Sequence, residues 1–374
     1  MGLSSASERP LAVIAAGFEI EGRVVAAAPL GSGHVNETYA VTLATGTGAE
    51  RYVLQRINGH VFADPEAMMA NVLAVTRHLR AGLEAEGVAD LERRTLTWVA
   101  AHAGGWLHRD GEGAAWRACR FIEGARSHDV PASPPEAYEA ARAFGYFQRR
   151  LLDLPASSLG ETLPGFHHTV ERLAAFRVVL AADALGRAAS CREEIELALS
   201  HEELAGSLLA LAERGEVPVR VTHNDCKVNN VLLDEATGEG LCVIDLDTVM
   251  PGLSLWDFGD LVRTATCRAA EDERALGRVE VEPEMFAAVV RGYLEAMGPH
   301  LTAAERAHLV TAGKVITFET GLRFLTDHLD GDRYFRIHRP GHNLDRCRSQ
   351  FALLASLEAQ EGDLARLAEA LGAQ

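Results

Sequence analysis

Near residues 119–124 the sequence changes its period, and that change limits what the chain can fold into. Before it, the apolar residues come in short runs rich in β-branched and aromatic side chains, at Arg23 to Pro29, Thr38 to Leu43, Arg51 to Ile57, Thr95 to Ala100 and Ala115 to Ile122. Each has the length and composition of a strand. After Glu123-Gly124 come Ala- and Leu-rich amphipathic stretches, from Pro134-Pro135 through Leu154, then Val170 to Ala182 and Glu193 to Arg214. Apolar residues at helical spacing make these helices. The chain therefore reads as α+β, with an N-terminal lobe over residues 1–122 and a C-terminal lobe over 123–374. No repeat and no flexible linker separates them, so the lobes are expected to pack around a cleft, where ligand sites are common.

Each half carries one departure from its own pattern. Within the strand-rich part, Pro65 to Leu83 places Met68, Val72, Val75 and Leu79 at helical spacing, with Asp64 as N-cap and Pro65 at the first helical position. The N-terminal lobe is thus a small, mostly antiparallel sheet with one helix. The helical part is broken once, between Val219 and Val249, where Val231-Leu232-Leu233 and Leu241-Cys242-Val243-Ile244 flank the turn-rich Asp234 to Gly240. A β-hairpin embedded among helices is expected there.

The most informative segment lies just before that hairpin. Val221-Thr222-His223-Asn224-Asp225-Cys226-Lys227-Val228-Asn229-Asn230 carries His-x-Asp-x-x-x-x-Asn. Phosphoryl transfer to a hydroxyl needs a carboxylate that orients the nucleophile and accepts its proton, and ligands that hold Mg²⁺ against the phosphates of ATP. Asp225 and Asn230 have the types and spacing for base and metal ligand. Lys227 is suited to neutralise charge on the transferring group, and His223 to brace the loop. A second metal ligand should follow the hairpin, and Val243-Ile244-Asp245-Leu246-Asp247 offers Asp245 directly after an apolar strand. Asp257-Phe258-Gly259 spells the tripeptide that carries the metal aspartate in protein kinases. It follows Pro251-Gly252 and leads into a helix, so Asp257 reads better as a structural brace for the loop. Singly, each of these acids is ordinarily a turn or cap residue. Base, lysine, asparagine, hairpin and acid in this order specify a kinase and a bilobal protein-kinase-like fold.

The nucleotide side is less distinct. Gly31-Ser32-Gly33-His34-Val35-Asn36-Glu37-Thr38 sits between two strands, so Gly31 and Gly33 could let the backbone approach a phosphate or a substrate. By itself a glycine pair between strands is a tight turn. No Walker A sequence is present, and the strand that should carry the ATP-binding lysine reads Tyr52-Val53-Leu54-Gln55-Arg56-Ile57-Asn58. Arg56 or Gln55 takes its place, with geometry different from lysine's. Glu66, the candidate helix partner of that position, is as well explained by a solvent-exposed role.

A formal charge of −17 repels nucleic acid and anionic membrane, whose binding draws on clustered Lys and Arg. Bound phosphate must then be held locally, by a metal ion and a few placed cations. The apolar run Leu11 to Phe18 is too brief to span a bilayer. Met1-Gly2 does not read as a myristoylation signal, because Ala6 stands where Ser or Thr is needed. Cys119, Cys191, Cys226, Cys242, Cys267 and Cys347 form no Cys-x-x-Cys pair, consistent with free thiols in a reducing cytoplasm.

The same residues resemble a family. His223 to Asn230 followed by Val243-Ile244-Asp245-Leu246-Asp247-Thr248-Val249-Met250-Pro251-Gly252 is similar to the N-acetylhexosamine 1-kinases within the aminoglycoside phosphotransferase-like superfamily. So are Gly33 to Tyr39, Leu54 to Asn58, Phe121-Ile122-Glu123-Gly124, Glu319 to Phe324 and Asn343 to Arg346. The resemblance runs from about residue 30 to residue 350. It implies Asp225 as base, Asn230 and Asp245 as Mg²⁺ ligands, and the backbone of Arg120, Phe121 and Ile122 as the adenine-binding hinge. It also implies sugar contacts from His34, Asn36, Thr38, Arg323 and Tyr334. The segment Arg323 to Arg346, rich in Arg, His, Tyr and Asn, suits hydroxyl and acetamido oxygens, although a solvated basic surface has the same composition. The expected reaction is phosphorylation of the anomeric C1 hydroxyl of an N-acetylhexosamine. Two competing readings are a kinase of the same fold acting on an aminoglycoside, choline or another amino-alcohol, and a nucleotide-binding pseudokinase, which the missing lysine motivates.

Overall fold

Alternating apolar residues in the first unit zip into a single antiparallel sheet. The computed structural model describes residues 11–31, 35–46 and 48–373, and these fall into two compact units divided after Gly124. In the first, β1 (Arg23–Pro29), β2 (Glu37–Thr45), β3 (Gly48–Arg56), β4 (Trp98–Val99), β5 (His108–Arg109) and β6 (Ala115–Arg120) take the order β1-β2-β3-β6-β4, with β5 also on β6. Val41, Leu43, Leu54 and Ala118 are buried on one face together with Phe18, Leu11 and Ile14. The single long helix of this unit, α1 (Pro65–Ala85), starts where Asp64 accepts from the amide of Ala67 at 2.9 Å and buries Met68, Met69, Val72 and Val75. The strand expected over Thr95 to Ala100 shortens to two residues, because a helical turn at Leu91–Arg94 precedes it and the chain turns at Ala101, whose amide donates to Gly105.

The second unit is mainly helical. After β7 (Ala125–Arg126) come α2 (Pro134–Arg150), α3 (Thr169–Ala182), α4 (Arg192–Ser200) and α5 (Glu202–Glu213), then β8 (Val219–Thr222), β9 (Val231–Asp234), β10 (Gly240–Val243) and β11 (Met250–Leu253). The chain finishes with α6 (Ser254–Ala265), α7 (Pro283–Met297), α8 (Leu309–Asp330), α9 (His342–Ala359) and α10 (Glu361–Gly372). Its core joins Phe144 of α2, Phe258 and Leu261 of α6, Phe286 and Tyr293 of α7 and Val315 of α8. A second cluster packs Phe318 and Leu322 against Phe176, Phe351 and Leu354.

Two features differ from the sequence reading. The stretch Glu193 to Arg214 is two helices, interrupted at His201, whose Nδ1 lies 2.8 Å from Leu197 O and whose Nε2 lies 3.1 Å from Glu358. The hairpin β9–β10 is present and gains β7 as a third strand, but a second antiparallel pair, β8 with β11, stands beside it. β11 reads Met-Pro-Gly-Leu, and proline and glycine hide a strand from composition. All six cysteines are buried, and none of them is in a disulfide. Among the described residues no helix is long and apolar enough to cross a membrane.

Candidate active site

β8 delivers the chain into a loop that its neighbours grip from several sides. The amides of His223 and Asn224 donate to the two carboxylate oxygens of Asp257, at 2.9 and 2.7 Å. Asp257 lies in the first turn of α6, fully buried, and also accepts from Gln148 Nε2 at 2.5 Å. The kinase-like tripeptide is thus a brace, and Gly259 is small because a Cβ would meet Ala312 O on α8. Asn224 takes φ 63, a left-handed conformation that costs a non-glycine residue about 1 kcal/mol. Its side chain secures it, accepting from Thr222 Oγ1 at 3.0 Å and donating to Thr248 O at 2.9 Å. His223 Nε2 lies 2.9 Å from Ile244 O, and its Nδ1 accepts from the Asp225 amide at 3.2 Å. A carbonyl only accepts, so the proton of this ring is on Nε2.

The turn that follows brings three predicted residues together. Asn230 Nδ2 donates to Asp225 O at 2.8 Å and to Asp225 Oδ2 at 3.0 Å, and Lys227 Nζ lies 2.8 Å from Asp225 Oδ1. Burial pushes the Asp225 carboxyl up, but the ammonium of Lys227, with Arg263 behind it, more than offsets this and holds it at about 2. Burial likewise pulls Lys227 down, and Asp225, Asp260 and Glu271 outweigh it, so the lysine stays charged. Asp245 stands at the end of β10 with φ 58, exposed. The amide of Ile244 donates to Asn230 O at 2.9 Å, which ties the backbone at Asp245 to that at Asn230. With Nδ2 of Asn230 committed to Asp225, its Oδ1 is the atom left to face a cation. As donor types, an amide oxygen and a carboxylate are hard oxygens that would suit Mg²⁺, with water and phosphate as its remaining ligands.

Behind Lys227 runs a buried ion ladder. Arg263 Nε donates to Asp260 at 2.8 Å and its Nη1 to Glu271 at 3.1 Å, and Glu271 lies 3.7 Å from Arg346. Arg323, on α8, carries its guanidinium over the rings of Phe166, Tyr334 and Phe335 at 4.9, 5.9 and 5.6 Å. Tyr334 is exposed on a loop whose amides at 333, 334 and 335 all donate to Asp327. Sequence reasoning missed Arg263, Glu271, His167 and the role of Glu319. For Glu319 a signal existed, since a carboxylate following Val315-Ile316-Thr317-Phe318 sits in a run too apolar for a solvated acid.

The remaining predicted residues lie in the first unit. Gly31 has φ 77, while Gly33 and His34 fall outside the described residues. Asn36 Oδ1 accepts from the Asn58 amide at 2.9 Å, and Thr38 Oγ1 from Gln55 Nε2 at 3.1 Å. Arg56 is half-exposed and pairs with Glu37 at 3.2 Å. Gln55 is the better integrated of the two lysine substitutes, because its Oε1 accepts from Arg117, a buried guanidinium on β6, at 2.8 and 2.5 Å. Glu66 pairs with Arg109 at 2.5 Å in the open, an interaction worth little. The amides of Arg120 and Phe121 donate within the unit, to Thr97 O at 2.8 Å and Arg51 O at 3.1 Å, and the Phe121 ring lies 3.8 Å from the Arg51 guanidinium. Ile122 is buried.

Comparison with solved structures finds the same fold. An aminoglycoside phosphotransferase from Alicyclobacillus acidocaldarius is 14% identical over 97% of this chain and 98% of its own, with a TM-score of 0.57. A choline kinase from Cryptosporidium parvum is 14% identical over 95% and 97%, TM-score 0.57. A choline kinase from Streptococcus pneumoniae is 14% identical over 94% and 100%, TM-score 0.54. The family model described as the phosphotransferase enzyme family matches residues 26–301. Those residues hold the sheet of the first unit and the loop carrying Asp225, Lys227 and Asn230, and the chain belongs to that family.

Proposed function

We propose that this phosphotransferase uses ATP and Mg²⁺ to phosphorylate the anomeric C1 hydroxyl of an N-acetylhexosamine, giving a sugar 1-phosphate and ADP. The observation that carries the kinase chemistry is the convergence of Lys227 Nζ and Asn230 Nδ2 on the Asp225 carboxylate, at 2.8 and 3.0 Å. Asp225 orients the C1 hydroxyl toward the γ-phosphorus. As the new O–P bond forms and the bond to the β-phosphate oxygen breaks, the hydroxyl proton passes to this carboxylate. An acid held at about 2 is a weak base, so the proton moves late, once phosphorylation has acidified the attacking oxygen. Lys227 offsets charge on the transferring group. Asn230 and Asp245 would hold Mg²⁺, which when bound supplies charge neutralisation at the phosphates. Gln55, with Arg117 behind it, and Arg56 are the polar groups in the strand that ordinarily supplies the phosphate-binding lysine. Gly31, Gly33 and the backbone of Arg120 to Ile122 are the residues proposed to contact the nucleotide.

Charge supports this acceptor class. Arg323 is the cation on the aromatic platform, and burial together with Arg323 pulls Arg172 below its ordinary range. A cationic amino-alcohol would meet these two guanidiniums, whereas hydroxyl and acetamido oxygens accept from them. His34, Asn36, Thr38, Arg323 and Tyr334 are the residues proposed to contact the sugar. Incubation with ATP and N-acetylglucosamine or N-acetylgalactosamine, followed by ³¹P NMR, should give a sugar 1-phosphate. Absence of that product with both sugars rejects the acceptor, and turnover of choline or a neomycin-like substrate in competition replaces it.

A further inference from the structure

We infer that His167 is a positioning residue for the catalytic loop: a doubly protonated ring, anchored on Glu319, that holds the Asn224 carbonyl and so fixes the direction of the Asp225 carboxylate. The inference rests on the phosphotransferase reading of Asp225. His167 precedes α3 and is 5% exposed, and Glu319 on α8 is 0% exposed. His167 Nε2 lies 2.9 Å from Asn224 O and Nδ1 lies 2.8 Å from Glu319 Oε1. Because a carbonyl oxygen only accepts, Nε2 carries a proton. The second contact is either an imidazolium facing a carboxylate or a neutral ring accepting from a protonated acid.

The charges around the pair favour the first arrangement. On the glutamate side Thr169 Oγ1 donates to Oε2 at 2.6 Å, and Arg323, one turn farther along α8, and Arg172 on α3 supply positive charge. On the histidine side Asp260 of α6 supplies negative charge. The rings of Phe166 and Trp256, with centroids 4.7 and 5.5 Å from that of His167, exclude water. Burial opposes both charges, yet the ring is held above its ordinary value and the carboxylate below.

What the ring holds is the peptide plane between Asn224 and Asp225. Its carbonyl accepts from His167 Nε2–H, and its N–H donates to His223 Nδ1 at 3.2 Å. Asn224 sits at φ 63, where a non-glycine backbone persists only if its surroundings over-determine it. Releasing one side of that plane lets it rotate and swings Asp225, and misplacement of about 1 Å at a reacting group costs on the order of 100-fold in rate.

Two readouts test this on the full chain. With ¹⁵N-labelled histidine, one ring should show both nitrogens protonated at pH 7, above the ordinary histidine value of about 6.5. His167→Gln should remove that signal, and Thr169→Val, which leaves the ring in place, should shift it. A His167 ring that is neutral at pH 7 overturns the inference. In kinetics His167→Gln and Glu319→Gln should lower kcat by roughly 10- to 100-fold while KM for ATP and acceptor stays within about threefold. Wild-type kcat should fall as pH rises past the ring's pKa, and the glutamine variant should lack that fall. Unchanged kcat, or kcat and KM worsening together with the melting temperature, assigns His167 a purely structural part and overturns the proposal. Should no acceptor turn over at all, the phosphotransferase reading fails on its own, and the ring-nitrogen spectrum still decides whether the protonated bridge exists.

Discussion

Asp257, fully buried, and Asp225, half-buried, are carboxylates 32 positions apart in the numbering, with opposite surroundings. Asp257 is met by three donors, from His223, Asn224 and Gln148. Asn in its place has one acceptor oxygen, so at least one amide would face an NH₂ group. Asp257→Asn should therefore cost about 2–4 kcal/mol in urea unfolding, and a loss below 1 kcal/mol would show that the brace is dispensable. Asp225 is met by the cation of Lys227 and one amide, and in the proposed reaction its carboxylate would face the acceptor hydroxyl. Asp225→Asn should lower kcat by about 10²- to 10⁴-fold, with affinity for a nonhydrolysable ATP analogue within a few-fold of wild type. Undiminished turnover would remove Asp225 from the chemistry. The sequence displayed the grouping of Asp225 with Lys227 and Asn230 through spacing, because the loop from His223 to Asn230 is contiguous. His167 and Glu319 were hidden for the opposite reason: they meet the loop from 57 and 95 positions away, and no local period records a contact made by the fold.

Elements were legible where one face alone decides them. The helix from Pro65 and the hairpin strands around Asp234 to Gly240 follow from cap, period and turn. The pair β8–β11 was not legible, since Pro251 and Gly252 lie in it for reasons of contact: a Cβ on Gly252 would strike Thr222 and Asn224. Glycine inside helices has the same double meaning, and the two meanings predict opposite signs. In α7 a Cβ on Gly292 would run into the Tyr138 carbonyl on α2, backbone that cannot rotate away, and Gly145 on α2 meets Tyr293 O in return. Gly292→Ala should destabilise by about 1–3 kcal/mol, although alanine alone favours a helix by about 1 kcal/mol. Gly82 in α1 has nothing within 4 Å of an added Cβ, so Gly82→Ala should stabilise by up to about 1 kcal/mol. Paired thermal or urea melts read both signs, and a stabilising Gly292→Ala would mean that the two helices do not approach as closely as described.

Over the whole molecule the buried charges set a stability window in pH. Burial raises the carboxyls of Glu319 and Glu271, but His167 and Arg323 in one case and Arg263, Lys227 and Arg346 in the other outweigh it and hold them low. Asp225 is held at about 2. Groups depressed on folding contribute stability above their unfolded values, about 3.9 for Asp and 4.3 for Glu, and lose it as pH falls through the folded ones. Stability should thus drop steeply below about pH 4.5. Histidines shape the neutral region. Burial holds His328 and His342 below the ordinary value, so they weaken the fold as pH falls below about 6.5. For His167 burial acts the same way, but Glu319 reverses it and the ring is raised, so its contribution is complete below about 6.5 and is lost as pH rises through the folded value. The two slopes oppose each other and place the maximum near pH 6.5, each tenfold change in proton affinity being worth about 1.4 kcal/mol. Urea midpoints from pH 3 to 8, below the range in which the buried thiols would ionise, should show a steep acid limb and a shallow alkaline one above about pH 6.5, and His167→Gln should abolish only the alkaline limb. An alkaline limb that survives in that variant would place its origin in a group other than this ring.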